Sequence, residues 1–498
     1  MKSKRLCMLL SCLLLFSVAC GKTPDVIESV TETIGTETET EPLDPARVLA
    51  LPDKDWGGRT FRVLGYECGY TQFRTFEISA EGENGEVVND AIFRRNTAIE
   101  DKYNVTISEY RDDSTSGDWY VATYPHFQSV MLAGEDLYDL AFLTVAKVGT
   151  AARNHMLYDL NTVDHIDFTK AWWNKNVNDT FTILDKLYFT SSDFSLRDKN
   201  RTYILVFNKD MAKDLSLGDP FSIVRDGAWT LDLMTNWSVQ AARDLDGNGK
   251  IDYLDAFGLA CDSANAFTAM TFAGNVQVLG KDADGKPQLA LNNEHTVDVL
   301  DKILKLYGMK ELTLLCEDWN GKCGDLDMWS LSSKAFREGR ALFVTCFPHS
   351  LSGYSEGCKD DYGILPFPKY DEAQERYYTY ADPMGMLFGI PATCQTPDFA
   401  GFMLEALSAA STDTSLQAYY EVSCKMKYTY DAESAQMLDL IFASIQYDPA
   451  KIYNIKGAAD FIVGMGYSKK NTFASTYAKM ESKALADIEK LIEDYTAE

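Results

Sequence analysis

The stretch DLDGNGKIDYLDAFG, Asp244 to Gly258, spaces oxygen-bearing side chains as a hard cation needs them. A calcium loop draws its ligands from positions 1, 3, 5, 7, 9 and 12, with glycine at position 6. Those positions hold Asp244, Asp246, Asn248, Lys250 (through its carbonyl), Asp252 and Asp255, with Gly249 at the turn. Ile251 is the apolar eighth residue. Asp255 is shorter than the bidentate glutamate usual at the last position, which weakens the site. WTLDLMTNWSVQAARDL, with Thr230 as N-cap, leads in as a helix, but FGLAC beyond the loop reads as a strand. A paired helix-loop-helix switch is therefore not expected, and the loop is read as a structural Ca2+ site.

Catalytic patterns are missing. The chain has no GxSxG elbow, HExxH pair, phosphate loop or dinucleotide fingerprint. None of its five histidines stands at metal-ligand spacing. Asp and Glu number 74 against 47 Lys and Arg, a net charge of −27. That charge argues against nucleic acid or an anionic membrane surface as partner. Carboxylates are too numerous for spacing to pick out a glycosidase pair.

The N-terminus sets the compartment. Lys2, Lys4 and Arg5 precede the apolar run LCMLLSCLLLFSVA, and SVAC ends at Cys20. This is a signal segment, residues 1–20, whose last residue resembles a lipobox cysteine. Ser17 stands where that motif usually has Leu, so a plain secretory signal is the alternative. Residues 21–54, rich in Thr and Glu, have too few large apolar residues to fold and read as a tether. The expected location is the outer face of the cell membrane, attached through lipid alone. Beyond the signal lie eight cysteines: Cys68, Cys261, Cys316, Cys323, Cys346, Cys358, Cys394 and Cys424. Their pairing is open, with Cys316/Cys323 and Cys346/Cys358 the nearest partners in sequence.

The elements that must position any site alternate. TFRVLGY, VTISEY and YDLAFLT read as strands, separated by helices in VVNDAIFRRNTAIEDKYN and PHFQSVMLAGED. Such alternation predicts an α/β fold with a parallel sheet covered by helices. Ligands then bind beyond the carboxyl ends of the strands. A second unit follows, with a hairpin at Asp284-Gly285 and a helix ending at Gly308.

Taken in order, several segments resemble one family: YDLAFLTVAKVGTAARNHMLYDL, WWNKNVNDTFTILDKLYFTSSDFSL, YILVFNKDMAKDL, DGAWTLDLM, the Asp-rich loop, KAFREGRALFVT and DDYGILPFPKY…GMLFGIPAT. The set is similar to the extracellular solute-binding proteins of bacterial ABC importers, in the carbohydrate-binding branch that includes maltose-binding protein. The resemblance implies a two-lobed periplasmic-binding-protein-like fold with a ligand cleft and crossing hinge strands near SSDFSL, GRALFVT and FGIPAT. By the family pattern, lobe 1 holds 55–193 plus 341–391, and lobe 2 holds 194–340 plus 392–498. It also implies a monomer that closes on a small carbohydrate and presents it to a membrane permease, with no catalysis. An exported glycan hydrolase and a receptor for a sensor kinase are the alternatives.

Sugars need aromatic platforms and directional hydrogen-bonding groups. Residues of those types in the expected inter-lobe loops are Tyr66, Trp119, Trp172, Trp173, Asp193, Asn275, Trp319, His349 and Asp382. Trp172/Trp173 is the strongest pair, since one of two adjacent aromatics outside a helix usually points away from the core. The family often has Gly-x-Trp after ALFVT; this chain has CFPHSLSGY, where Phe347 or His349 is the expected substitute.

Overall fold

Apolar Phe61, Val63 and Leu64 among polar neighbours in RTFRVLGY build the first strand, and several later strands are near-continuous apolar runs. The computed structural model describes residues 51–497 apart from Thr71, Ser116 and 424–430. The signal segment, Cys20, residues 21–50 of the tether and Cys424 lie outside the described residues. Strands β1 (Arg59–Tyr66), β2 (Val105–Asp112) and β3 (Leu140–Thr144) come first. Next are β4 (Ile204–Asn208), β5 (Phe257–Cys261), β6 (Leu279–Lys281), β7 (Pro287–Leu289), β8 (Thr313–Leu315), β9 (Ala341–Cys346) and β10 (Tyr362–Leu365). The last are β11 (Thr379–Tyr380), β12 (Met386–Gly389) and β13 (Ile445–Gln446).

Two sheets result. The first has the order β12-β3-β1-β2, with β1 parallel to both neighbours and β12 antiparallel to β3. The second has the order β10-β4-β9-β5-β8, with β9, β5 and β8 parallel and β4 antiparallel to both neighbours. Every residue of β3, β4, β5 and β9 is buried, as expected of strands covered on both faces.

Helix periodicity holds as the sequence predicts. Val87–Tyr103 buries Ala91, Ile92, Arg95, Asn96, Ile99 and Tyr103 along one stripe. It ends where Asn104 turns left-handed, with φ of 50°. The Thr230 hydroxyl caps Leu231–Ala241 by accepting from Leu233 N. That helix lies directly on β5, because a Cβ at Gly258 would fall 2.1 Å from Ser238 Cβ.

The lobe boundaries differ from those expected. The sequence-based division assigned 341–391 to lobe 1, yet β9 and β10 hydrogen-bond into the second sheet. A six-residue strand buried on both faces is satisfied only between two neighbours, and β4 and β5 supply them. The chain instead crosses back between β10 and β12. Pro397–Thr412, expected in lobe 2, packs its Phe399, Phe402 and Met403 with Phe61 and Val63 of the first sheet. The return crossing runs antiparallel to the outgoing one, through the bridges Thr190↔Phe388 and Thr202↔Ala381.

Candidate functional site

Residues past the carboxyl ends of β1 and β9 pack against Arg201, which lies on the outgoing of the paired crossings. Its Nη2 lies 3.1 Å from Asp382 Oδ2. Its Nη1 donates to His349 Nε2 at 3.0 Å. The guanidinium lies 4.0 Å over the Phe347 ring and 5.1 Å from that of Phe73. Phe347 follows β9 of the second sheet, while Phe73 lies in the loop after β1 of the first. Arg201 therefore ties both lobes to the crossing. Burial, reinforced by Arg201 and Arg197, pushes His349 down to about 3 and keeps it neutral. Arg197, also buried, donates through Nη2 to Met384 O at 3.0 Å.

Beside this cluster are two cavities that share Asn265. The smaller, about 60 Å³, includes Tyr120, Tyr380, Asp382, Asp448 and Lys451 in its lining. The larger, about 370 Å³, opens at the ends of β5 and β9. Trp329, 53% exposed, forms part of its wall with Tyr203, Phe347, Ser332, Arg337 and Asp262. Asp262 follows β5 and caps the helix Ser263–Ala273 by accepting from Asn265 N at 2.7 Å. Burial pushes its carboxyl up to about 7, and Glu317 beside it adds to the shift. The lining combines an aromatic face, hydroxyls, an amide, one cation and the buried Asp262 carboxyl, a composition suited to recognising a polar ring.

Of the residues singled out from sequence, Asp382 and His349 join Arg201 directly. Trp119 reaches the cluster indirectly, stacked on Phe73 at 4.4 Å. Tyr66 is buried at the end of β1 with its hydroxyl donating to Thr115 O. Trp172 and Trp173 do not form an open platform. Trp173 is buried, and the two indoles donate to opposite oxygens of Glu405 at 3.2 and 3.1 Å. A buried carboxylate on Pro397–Thr412 is a stronger partner for an indole N–H than water on a cleft wall. Asp193 Oδ2 accepts from Thr412 Oγ1 on the same helix. Asn275 takes a left-handed φ of 61° beyond Ser263–Ala273. Trp319 packs on Tyr253 at 5.5 Å and lines a separate cavity with Gly249, Lys250 and Ile251.

Sequence reasoning missed Arg201, Asn265, Asp262, Arg337 and Trp329. Asp262 was within reach, since it directly follows the predicted strand FGLAC. Trp329 carried no such signal.

The Asp-rich loop is closed by the bridge Arg243↔Ala256. Asp244, Asp246 and Asp255 bring carboxylate oxygens within 4.8 Å of one another. Gly247 and Gly249 take φ of 70° and 78° and donate to Asp244 at 2.7 Å each. These donors hold the Asp244 carboxyl below its ordinary value. Asn248 Oδ1 accepts from Lys250 N, and Asp252 Oδ1 accepts from Leu254 N. All seven described cysteines are buried free thiols, including those of the 316/323 and 346/358 pairs.

A family model described as bacterial extracellular solute-binding protein matches residues 127–426. The chain belongs to that family. It is a solute-binding protein, not an enzyme, and the family is an exported one. No helix among the described residues is long and apolar enough to cross a membrane. Among solved structures, UspC of M. tuberculosis is similar at 13% identity and a TM-score of 0.55, over 86% of this chain and 100% of that one. The maltose/maltodextrin-binding domain MalE from Bdellovibrio bacteriovorus, bound to maltotriose, is similar at 14% identity and 0.51, over 87% and 100%. Both likenesses show the two-lobed fold. No curated protein matches the chain.

Proposed function

We propose that this solute-binding protein captures a carbohydrate against Trp329 and delivers it to an ABC import permease, acting as a monomer held to the outer face of the membrane by lipid on Cys20. The half-exposed indole in the wall of a hydroxyl-lined cavity carries the reading, because a sugar ring offers an apolar CH face to the indole and hydroxyls to the rest. The MalE domain, solved with maltotriose, supports the same ligand class. The Asp-rich loop binds Ca2+ through Asp244, Asp246, Asn248, Lys250 O, Asp252 and Asp255. None of these residues lines the Trp329 cavity, and the loop serves the fold.

Calorimetry of residues 21–498 against a panel of mono- and oligosaccharides tests the reading. Saturable binding with no turnover is expected. Hydrolysis of a bound oligosaccharide, or silence across the panel, overturns it. For the anchor, Cys20→Ala releases the protein to the medium or leaves it unprocessed; normal processing with full membrane retention counts against lipidation.

A further inference from the structure

The one cation in the lining of the Trp329 cavity has no ion-pair partner among the described residues. Arg337, last residue of the helix Leu331–Arg337, lines it, and its Nε is buried without a hydrogen-bond partner. Acidic residues outnumber basic ones 74 to 47, yet Arg337 makes no ion pair among the described residues. Its neighbours do make ion pairs: Lys334 and Arg340 both hold Glu338. The one acidic residue of the lining, Asp262, and Glu317 beside it are engaged with backbone. Asp262 accepts from Asn265 N, and adjacent Glu317 accepts from Ser263 N through both oxygens. Space for the guanidinium is kept by Gly357, where a Cβ would lie 3.2 Å from Arg337 Cδ and 3.3 Å from Nη1.

A partly desolvated guanidinium without a counter-ion is costly, and the cost is recovered when an oxyanion arrives. Its planar fork matches a carboxylate or a sulfate ester. Neutral hydroxyls satisfy donors but leave the charge uncompensated. We propose that the solute is an acidic saccharide, its ring against Trp329 and its oxyanion group bound by Arg337. This rests on the cavity being the carbohydrate site.

The test is calorimetry with three ligands: a uronic-acid oligosaccharide, the same oligosaccharide with its carboxyls reduced to alcohols, and a sulfated oligosaccharide. At least one acidic ligand binds at least tenfold more tightly than the reduced one, and which it is names the anion. Arg337→Gln loses at least tenfold for that ligand and leaves the reduced one unchanged, while Arg337→Lys retains part of the preference. Equal or tighter binding of the reduced ligand by the wild type overturns the acidic-saccharide assignment and leaves carbohydrate capture standing. That comparison uses no variant, so it holds even where Arg337→Gln fails to fold. Binding of none of these ligands, nor of any neutral sugar, overturns both.

Discussion

Arg201 and Asp382 meet at 3.1 Å, each carried by a different one of the two chain crossings between the sheets. Asp382 N also donates to Arg201 O at 2.9 Å, so backbone and side chains pin the crossings at one point. Both side chains are buried. Removing one partner leaves a buried charge uncompensated, at about 3–5 kcal/mol. Asp382→Ala lowers the urea midpoint accordingly, and adding Arg201→Met recovers part of the loss. An unchanged midpoint for Asp382→Ala would falsify the pairing.

Trp329 and Trp173 should separate binding from folding. Trp329 is half exposed, so Trp329→Ala leaves the melting temperature nearly unchanged. It weakens carbohydrate binding by about one to two orders of magnitude, since a buried aromatic contact is worth about 1.5–3 kcal/mol and each order about 1.4. Trp173 is core, so Trp173→Ala costs about 3–5 kcal/mol of stability. Paired melts and titrations read both; a binding defect at Trp173 with a normal melt would reverse the two roles.

Calcium should act on the fold alone. At a hundredfold excess over Kd it adds about 2.7 kcal/mol to stability. Chelation lowers the melting temperature, and Asp244→Asn removes the response. A melt indifferent to chelator eliminates the metal, whereas loss of ligand binding in chelated, folded protein makes it part of the site.

Glu405 should give the protein an acid-stabilised component. Burial pushes its carboxyl up to about 7 from an ordinary 4.5. The folded state thus binds this proton more tightly than the unfolded chain. Its contribution is complete below about 4.5 and is lost as pH rises through about 7. Between pH 5 and 8, wild type therefore loses more melting temperature than Glu405→Gln. Parallel curves for the two proteins would show that Glu405 does not titrate in that window.

Local sequence determined the strands and helices, the Thr230 cap, the Asp284-Gly285 hairpin and the closed Asp-rich loop. Each depends on residues within a turn, a repeat or a dozen positions, and neighbours along the chain set its periodicity and capping. The ordered segments likewise carried the two-lobed fold. Tertiary structure alone decided that β9 and β10 belong to the second sheet, because a strand buried on both faces carries no signal of which neighbours it pairs with. It decided that Trp172 and Trp173 turn to Glu405, more than 200 residues away in sequence, and that Arg201 meets Asp382 across the crossings. It also brought Trp329, Asp262 and Asn265 into the lining of one cavity. These meetings follow from which apolar faces pack together, and that packing brings distant polar side chains within bonding reach.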